Sequence, residues 1–189
     1  GGDLESFILQ SAARGLHMKT NMVLTTGETT MYRLGRKLPD GLIIGGRGPY
    51  GVYASDSELN TWFQAQYRDR FAPPPTYPSY QMGQALLGLK IAYDNAVKAN
   101  GGKKPSAEEA AAGLKGQTFE SFSTTVDMAL GNGHQAVTEM AYGVTKWDDS
   151  LGEVTVIDVA RYPAGCVNPP QGVKSVDWIA GGMQGAKCN

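Results

Sequence analysis

The spacing of apolar residues changes period once along this chain, and that change limits the fold more than any motif does. Up to about residue 116 apolar side chains recur at helical spacing, interrupted by two short apolar runs, 21–25 and 42–44. Beyond it, 123–130, 136–147 and 153–162 are rich in Val, Thr and Tyr. Gly131-Asn132-Gly133-His134 and Asp148-Asp149-Ser150-Leu151-Gly152 separate these tracts as turns. A helix–strand–helix–strand beginning predicts α/β architecture with parallel strands, and the later tracts predict antiparallel pairing. With 189 residues, the chain is long enough for one ordinary domain or parts of two.

Within the first part, the spacing predicts a helix over 3–13, with Leu4, Phe7, Ile8 and Ala12 on one face, Asp3 as its cap and Gly15 as a left-handed stop. The run 21–25 reads as a short buried strand and 28–37 as a helical or looped piece. Pro39-Asp40-Gly41 makes a turn into a second strand, 42–46, apolar throughout and therefore buried on both faces. Ser55 and Glu58 have capping-box spacing ahead of Leu59, Trp62, Phe63, Tyr67 and Phe71. A longer helix, 78–99, shows a stripe of Met82, Leu86, Leu89, Tyr93 and Val97, and Asn100-Gly101-Gly102 stops it. Ser106 and Glu109 open a short Ala-rich helix that ends near Gly116.

Seventeen basic against eighteen acidic residues give a net charge of -1, so no electrostatic footprint for nucleic acid or an anionic membrane exists. No apolar run approaches a membrane span, and residues 1–189 contain no signal-peptide pattern, as a mature or truncated chain also would not. Cys166 and Cys188, the two cysteines, are too few for a structural zinc site. They either stay as thiols or bridge in an oxidising compartment, and their clustering in an otherwise cysteine-free chain favours the bridge. His17 and His134 lie far apart without metal spacing, so no metal and no cofactor is expected. Gly46-Arg47-Gly48-Pro49-Tyr50-Gly51 fits G-x-G-x-x-G, but Pro49 removes a phosphate donor and no helix opens there, which argues against a dinucleotide.

The informative positions are loops that follow strands, where open α/β sheets bind ligands. Those loops hold Gly2 and Asp3, Thr25, Thr26 and Glu28, and Arg47 and Tyr50. Acids, hydroxyls, a guanidinium and an aromatic ring suit a small polar or zwitterionic solute. Asp3 and Thr26 fit helix capping equally well, and Arg47 and Tyr50 fit ordinary loop positions.

In order and content, GGDLESFILQSAARGL, NMVLTTGETT, LPDGLIIGGRGPYG, TYPSYQMGQALLGLKIAYDNA and HQAVTEMAYGVTKWD resemble the type I periplasmic solute-binding proteins of ABC importers. The branched-chain amino acid, amide and aromatic-acid receptors are the nearest group. The resemblance spans Gly1 to about Tyr162. It implies a portion of a two-lobe α/β fold, with parallel sheets flanked by helices and an antiparallel strand segment near the C-terminus. Residues 1–48 would be a second-lobe segment, 49–122 a first-lobe segment, 123–162 crossover strands and a second-lobe hairpin, and 163–189 a cysteine-bearing tail. Crossings between lobes would fall near Gly48-Pro49-Tyr50 and Thr124.

It further implies no enzyme but a periplasmic receptor that closes on a solute in an interlobe cleft. Its partners would be the solute, a membrane permease and a missing N-terminal half of the same receptor. Asp3 falls where amino-acid-binding relatives carry an aromatic residue, and the 25–28 loop falls where a carboxylate meets the ligand ammonium. An amino acid, an amide and an aromatic acid all remain open as solutes. Two rival readings are a sensory module of the same fold and an acid–base enzyme using Asp3 and Glu28.

Overall fold

Ile43–Gly45 form strand β2, which holds the first sheet together because it is paired on both edges. On one side it runs parallel to β1, Val23–Leu24, in the register Val23 to Ile43 and Leu24 to Ile44. On the other it runs antiparallel to β6, Met140–Asp148, with Ile43 opposite Val144 and Gly45 opposite Tyr142. β7, Glu153–Tyr162, lies beyond β6, giving the order β1-β2-β6-β7. The protein is described here by a computed structural model that covers residues 1–130 and 133–188.

Two compact units result, Gly1–Pro78 with Met140–Arg161, and Ser79–Glu139 with Tyr162–Asn189. The divisions after Pro78 and Glu139 come later than the crossings expected near residues 48–50 and 124. The antiparallel strand β6 follows the second division, since β2 needs a partner that only this returning segment supplies.

In the first unit the core joins Ile8 of helix α1 (Gly2–Ala13), Met31 and Leu34 of helix α2 (Glu28–Leu34), Leu42, Ile44, Tyr53, Ala141 and Val154. α1 starts one residue earlier than expected, at Gly2, so Asp3 lies inside the first turn and caps nothing. Gly15 is left-handed at φ 65°, as the sequence indicates. The buried face of α1 is Ile8 and Ser11, while Phe7 is exposed. The Pro39–Gly41 turn is fixed from β6: Thr145 Oγ1 donates to the Pro39 carbonyl at 2.7 Å and accepts the Leu42 N–H at 2.9 Å. Helix α3, Glu58–Arg68, is capped by Ser57, which accepts the Asn60 N–H, and not by Ser55. Trp62 on the helix and Phe71 just beyond its end stay exposed, and Asn60 is the buried residue.

The second unit is built on helix α4, Tyr77–Ala99, and a three-stranded sheet β3-β4-β5. β3 (Thr118–Glu120), which the spacing does not reveal, pairs antiparallel with β4 (Thr125–Leu130), and β4 pairs with β5 (Gln135–Val137) through an irregularity. The tract 136–147 is therefore two strands in two sheets, and not one. The Gly131-Asn132 portion of the expected turn lies outside the described residues. Helix α5, Ala107–Ala112, carries the reciprocal Ser106–Glu109 capping box that the sequence predicts.

α4 buries the opposite face from the expected one. Met82 and Leu86 are 64% and 61% exposed, whereas Tyr80, Gln84, Gly88, Ala92 and Ala96 are buried. The reason is distance: at Gly83 and Gly88 the sheet comes so close that no side chain fits. A Cβ at Gly88 would lie 2.7 Å from Phe119 Cζ, and one at Gly83 would lie 2.7 Å from Phe122 Cε2. Polar links complete the contact, with Gln117 Nε2 donating to the Gly88 carbonyl at 3.2 Å and Ser121 Oγ to Gln84 Oε1 at 3.4 Å. Short helices α6 (Ala164–Val167) and α7 (Ser175–Ala180) follow, and a Cys166–Cys188 disulfide closes the tail around them. The bridge resolves the alternatives that the two cysteines leave open.

Close approach on one face and exposure on the other make a direct test. In this chain Gly88→Val overpacks the helix–sheet contact and costs about 1–3 kcal/mol, whereas Leu86→Ala stays within about 0.5 kcal/mol. Urea denaturation midpoints of the two variants against the parent measure the difference.

Candidate functional site

Parallel pairing of β1 and β2 sends both strands out at the same end of the sheet, so the loops after them are neighbours. The first loop, 25–27, leads straight into α2. Thr25 is exposed, Thr26 is half-buried with its carbonyl accepting the Thr29 hydroxyl at 3.0 Å, and Glu28 begins the helix. Gly27 is obligatory here because its Cα faces β2: a Cβ would sit 2.5 Å from Ile44 Cγ2. The second loop, 46–50, follows β2 and runs into a 3₁₀ turn, Gly51–Tyr53. Arg47 is exposed with φ +57°, a left-handed conformation that a non-glycine residue adopts at a cost. Its guanidinium lies 5.6 Å from the centroid of the Tyr77 ring. Tyr50 is only 2% exposed.

Glu28 is the unusual group. Its residue is 0% exposed, Oε2 accepts the Tyr77 N–H at 3.2 Å, and Oε1 has no hydrogen-bond partner among the described residues. The Gly51 backbone covers Oε1 so closely that any Cβ at Gly51, itself at φ +59°, would overlap it. Burial pushes the Glu28 carboxyl up to about 8, against a smaller opposing effect of the Tyr77 N–H. At neutral pH it is mostly protonated. Beside it, Tyr53 donates its hydroxyl to the Ile44 carbonyl at 2.7 Å. Burial first, then the nearby Glu28, raises the Tyr53 phenol above its usual range.

Of the expected site residues, the structure thus brings Thr25, Thr26, Glu28, Arg47 and Tyr50 to one end of the sheet. They differ in access. Thr25 and Arg47 reach solvent, and Glu28 and Tyr50 lie beneath the surface. Gly2 and Asp3 sit on the exposed first turn of α1. Asp3 is not a partner of Glu28, whose one bonded oxygen holds a backbone N–H, so no acid–base pair forms between them. Sequence reasoning did not find Tyr53, Tyr77 or Gly51. The glycine–aromatic alternation of residues 45–53 was the available signal, because close ring-on-glycine packing needs both.

Solved structures place this architecture. No known family matches the sequence, and no characterised protein is detectably similar to it in sequence. Solved structures do match in fold, three of them as follows. An amino acid ABC transporter substrate-binding protein from Pseudomonas fluorescens Pf-5 superposes with a TM-score of 0.63 at 18% identity, covering 85% of this chain and 42% of that one. A solute-binding protein of an ABC transporter from Rhodopseudomonas palustris HaA2, in complex with p-hydroxybenzoic acid, gives 0.65 at 18% identity, covering 84% and 41%. Its counterpart from R. palustris BisB5, in complex with 3,4-dihydroxybenzoic acid, gives 0.61 at 22% identity, covering 84% and 42%. The chain's fold matches part of the type I periplasmic-binding-protein fold. Such a fold accounts for the mixed α/β order and for the return of β6 to β2, and the chain spans about two-fifths of the length of the solved structures it matches.

The raised Glu28 carboxyl fixes the sign of a pH effect. Folded Glu28 holds its proton more tightly than the unfolded residue, so its contribution to stability is complete below about 4.5 and is lost as pH rises toward about 8. The full loss is on the order of 5 kcal/mol. Glu28→Gln removes this dependence, and denaturation midpoints measured from pH 4.5 to 8.5 fall for the parent and stay flatter for the variant.

Proposed function

We propose that this chain is part of an extracytoplasmic solute-binding component of an ABC importer, and that its solute is a small carboxylate of the aromatic-acid kind. The observation that carries the reading is Arg47, a strained, exposed guanidinium set beside the Tyr77 ring at the strand ends of a solute-receptor fold. Guanidinium pairs with carboxylate in a two-point, charge-assisted arrangement, and a neighbouring ring suits a flat solute. Thr25 and Thr26 add hydroxyls at the same end of the sheet. Two of the fold's relatives bind hydroxybenzoic acids, which agrees with that chemistry.

An α-amino acid fits less well. Its ammonium needs an accessible carboxylate, and Glu28 is buried and mostly protonated. The tail disulfide suits an oxidising compartment such as the periplasm. A membrane permease is the implied recipient of the solute. Further polypeptide, the other half of a receptor of this type, is the proposed cover for the apolar α4 stripe in one unit. In the other unit it would pair the open edge of β1, where Val23 is exposed.

Isothermal calorimetry on the complete receptor, with benzoate, hydroxybenzoates, amino acids and amides, tests the assignment. Aromatic carboxylates are expected to bind, and Arg47→Met is expected to weaken them by about ten- to a hundredfold. Binding of amino acids alone, or an Arg47→Met receptor of unchanged affinity, overturns the choice of solute. A receptor that binds no member of the panel overturns the function.

A further inference from the structure

Glu28 carries a consequence beyond the fit of a solute, and it rests on the strand-end loops just described. Two chain segments that leave the first unit are fastened at one place. At Tyr77, one residue before the division after Pro78, the backbone N–H donates to Glu28 Oε2. At Arg161, the last residue before the division that follows it, Nη2 donates to the Tyr53 carbonyl at 2.6 Å. The Gly51–Tyr53 turn ties the two fastenings together, since Gly51 covers Glu28 Oε1 and Tyr53 carries the Arg161 bond. The turn is itself closed by backbone bonds from Tyr53 N–H to the Tyr50 carbonyl and from Ala54 N–H to the Gly51 carbonyl, each 3.1 Å.

We propose that Glu28 is a proton-controlled pin of this joint: uncharged, it lets the Gly51–Tyr53 turn close over it, and on ionising it forces the turn open and loosens the chain at Tyr77.

The physical reason is the unpartnered oxygen. A neutral carboxyl tolerates one oxygen packed against Gly51, whereas a carboxylate in that place is a buried charge with a single donor. Among the described residues no group hydrogen-bonds Oε1. From the turn, the other titratable group is Tyr53, which is uncharged and raised further by Glu28. From β6, Tyr142 acts on Tyr53 in the same direction. Arg47, on the loop after β2, lies over the Tyr77 ring. Arg161, on β7, is committed to the Tyr53 carbonyl, and Arg33 of α2 is paired with Glu5 at 3.2 Å. Water is the remaining source of donors, and it reaches Oε1 only when the turn lifts. Burial sets the switching point, near pH 8.

Amide hydrogen exchange in the full chain, corrected for the intrinsic rate at each pH, reads the joint directly. Between pH 5 and 10 the Tyr53, Ala54 and Tyr77 amides are expected to lose protection by up to about tenfold per pH unit as the pH rises toward about 8, and to level off above it. The core amide of Ile44 is expected to hold, and Glu28→Gln is expected to give a flat profile. In the parent protein the Glu28 side-chain carboxyl carbon, followed by NMR, is expected to titrate near 8, which needs no variant. Parent and Glu28→Gln profiles that coincide, a carboxyl that titrates near 4.5, or loss of Ile44 protection in step with the turn each overturn the proposal. No solute enters these measurements, so a wrong solute assignment leaves their outcome unaffected.

Discussion

Pairing of β2 on both edges is the constraint from which the rest of the first unit follows. A three-residue strand buries little by itself, and its edges must be satisfied by hydrogen bonding. One edge is met by β1, close in sequence, and the other by β6, about a hundred residues later. Because β6 is recruited antiparallel, Gly45 comes to face the Tyr142 ring, and a side chain at Gly45 is excluded. That contact, the Tyr53 bond to the Ile44 carbonyl and the cover of Gly51 over Glu28 are successive layers on the same short strand.

How much of this could be read from residues alone differs by element. The glycine stops, the Ser106–Glu109 box and the apolar strand at 42–46 are local, and they were legible because backbone conformation and capping act over a few residues. Helix faces were not. The stripe of Met82, Leu86, Leu89 and Tyr93 is a textured apolar face by any periodicity, yet α4 packs its sheet with Gly88, Ala92 and Ala96. Hydrophobic pattern reports which face wants cover, and the distance of the nearest sheet decides which face gets it. α3 shows the same split, with Asn60 inside and Trp62 outside.

Site legibility followed the same line. Strand-end loops are named by topology, so Thr25, Glu28, Arg47 and Tyr50 were reachable from the order of elements. Access to solvent was not, since it depends on Gly51 approaching Glu28 and on Tyr77 arriving from a distant segment. Glu28, on the loop where the resemblance implies a carboxylate facing a ligand ammonium, accepts a backbone N–H from Tyr77. This separates two roles that spacing merges: Arg47 offers charge to the outside, and Glu28 organises chain on the inside.

The Cys166–Cys188 bridge also acts on the unfolded chain. It encloses Pro169, Pro170, Gly172 and most of an otherwise thinly packed stretch, in which Trp178 is the one deeply buried side chain among the described residues. Cross-linking positions 22 apart removes conformations from the unfolded chain, an effect on the order of 3 kcal/mol in the chain-entropy picture. The order of this segment therefore rests on a covalent tie more than on buried apolar surface.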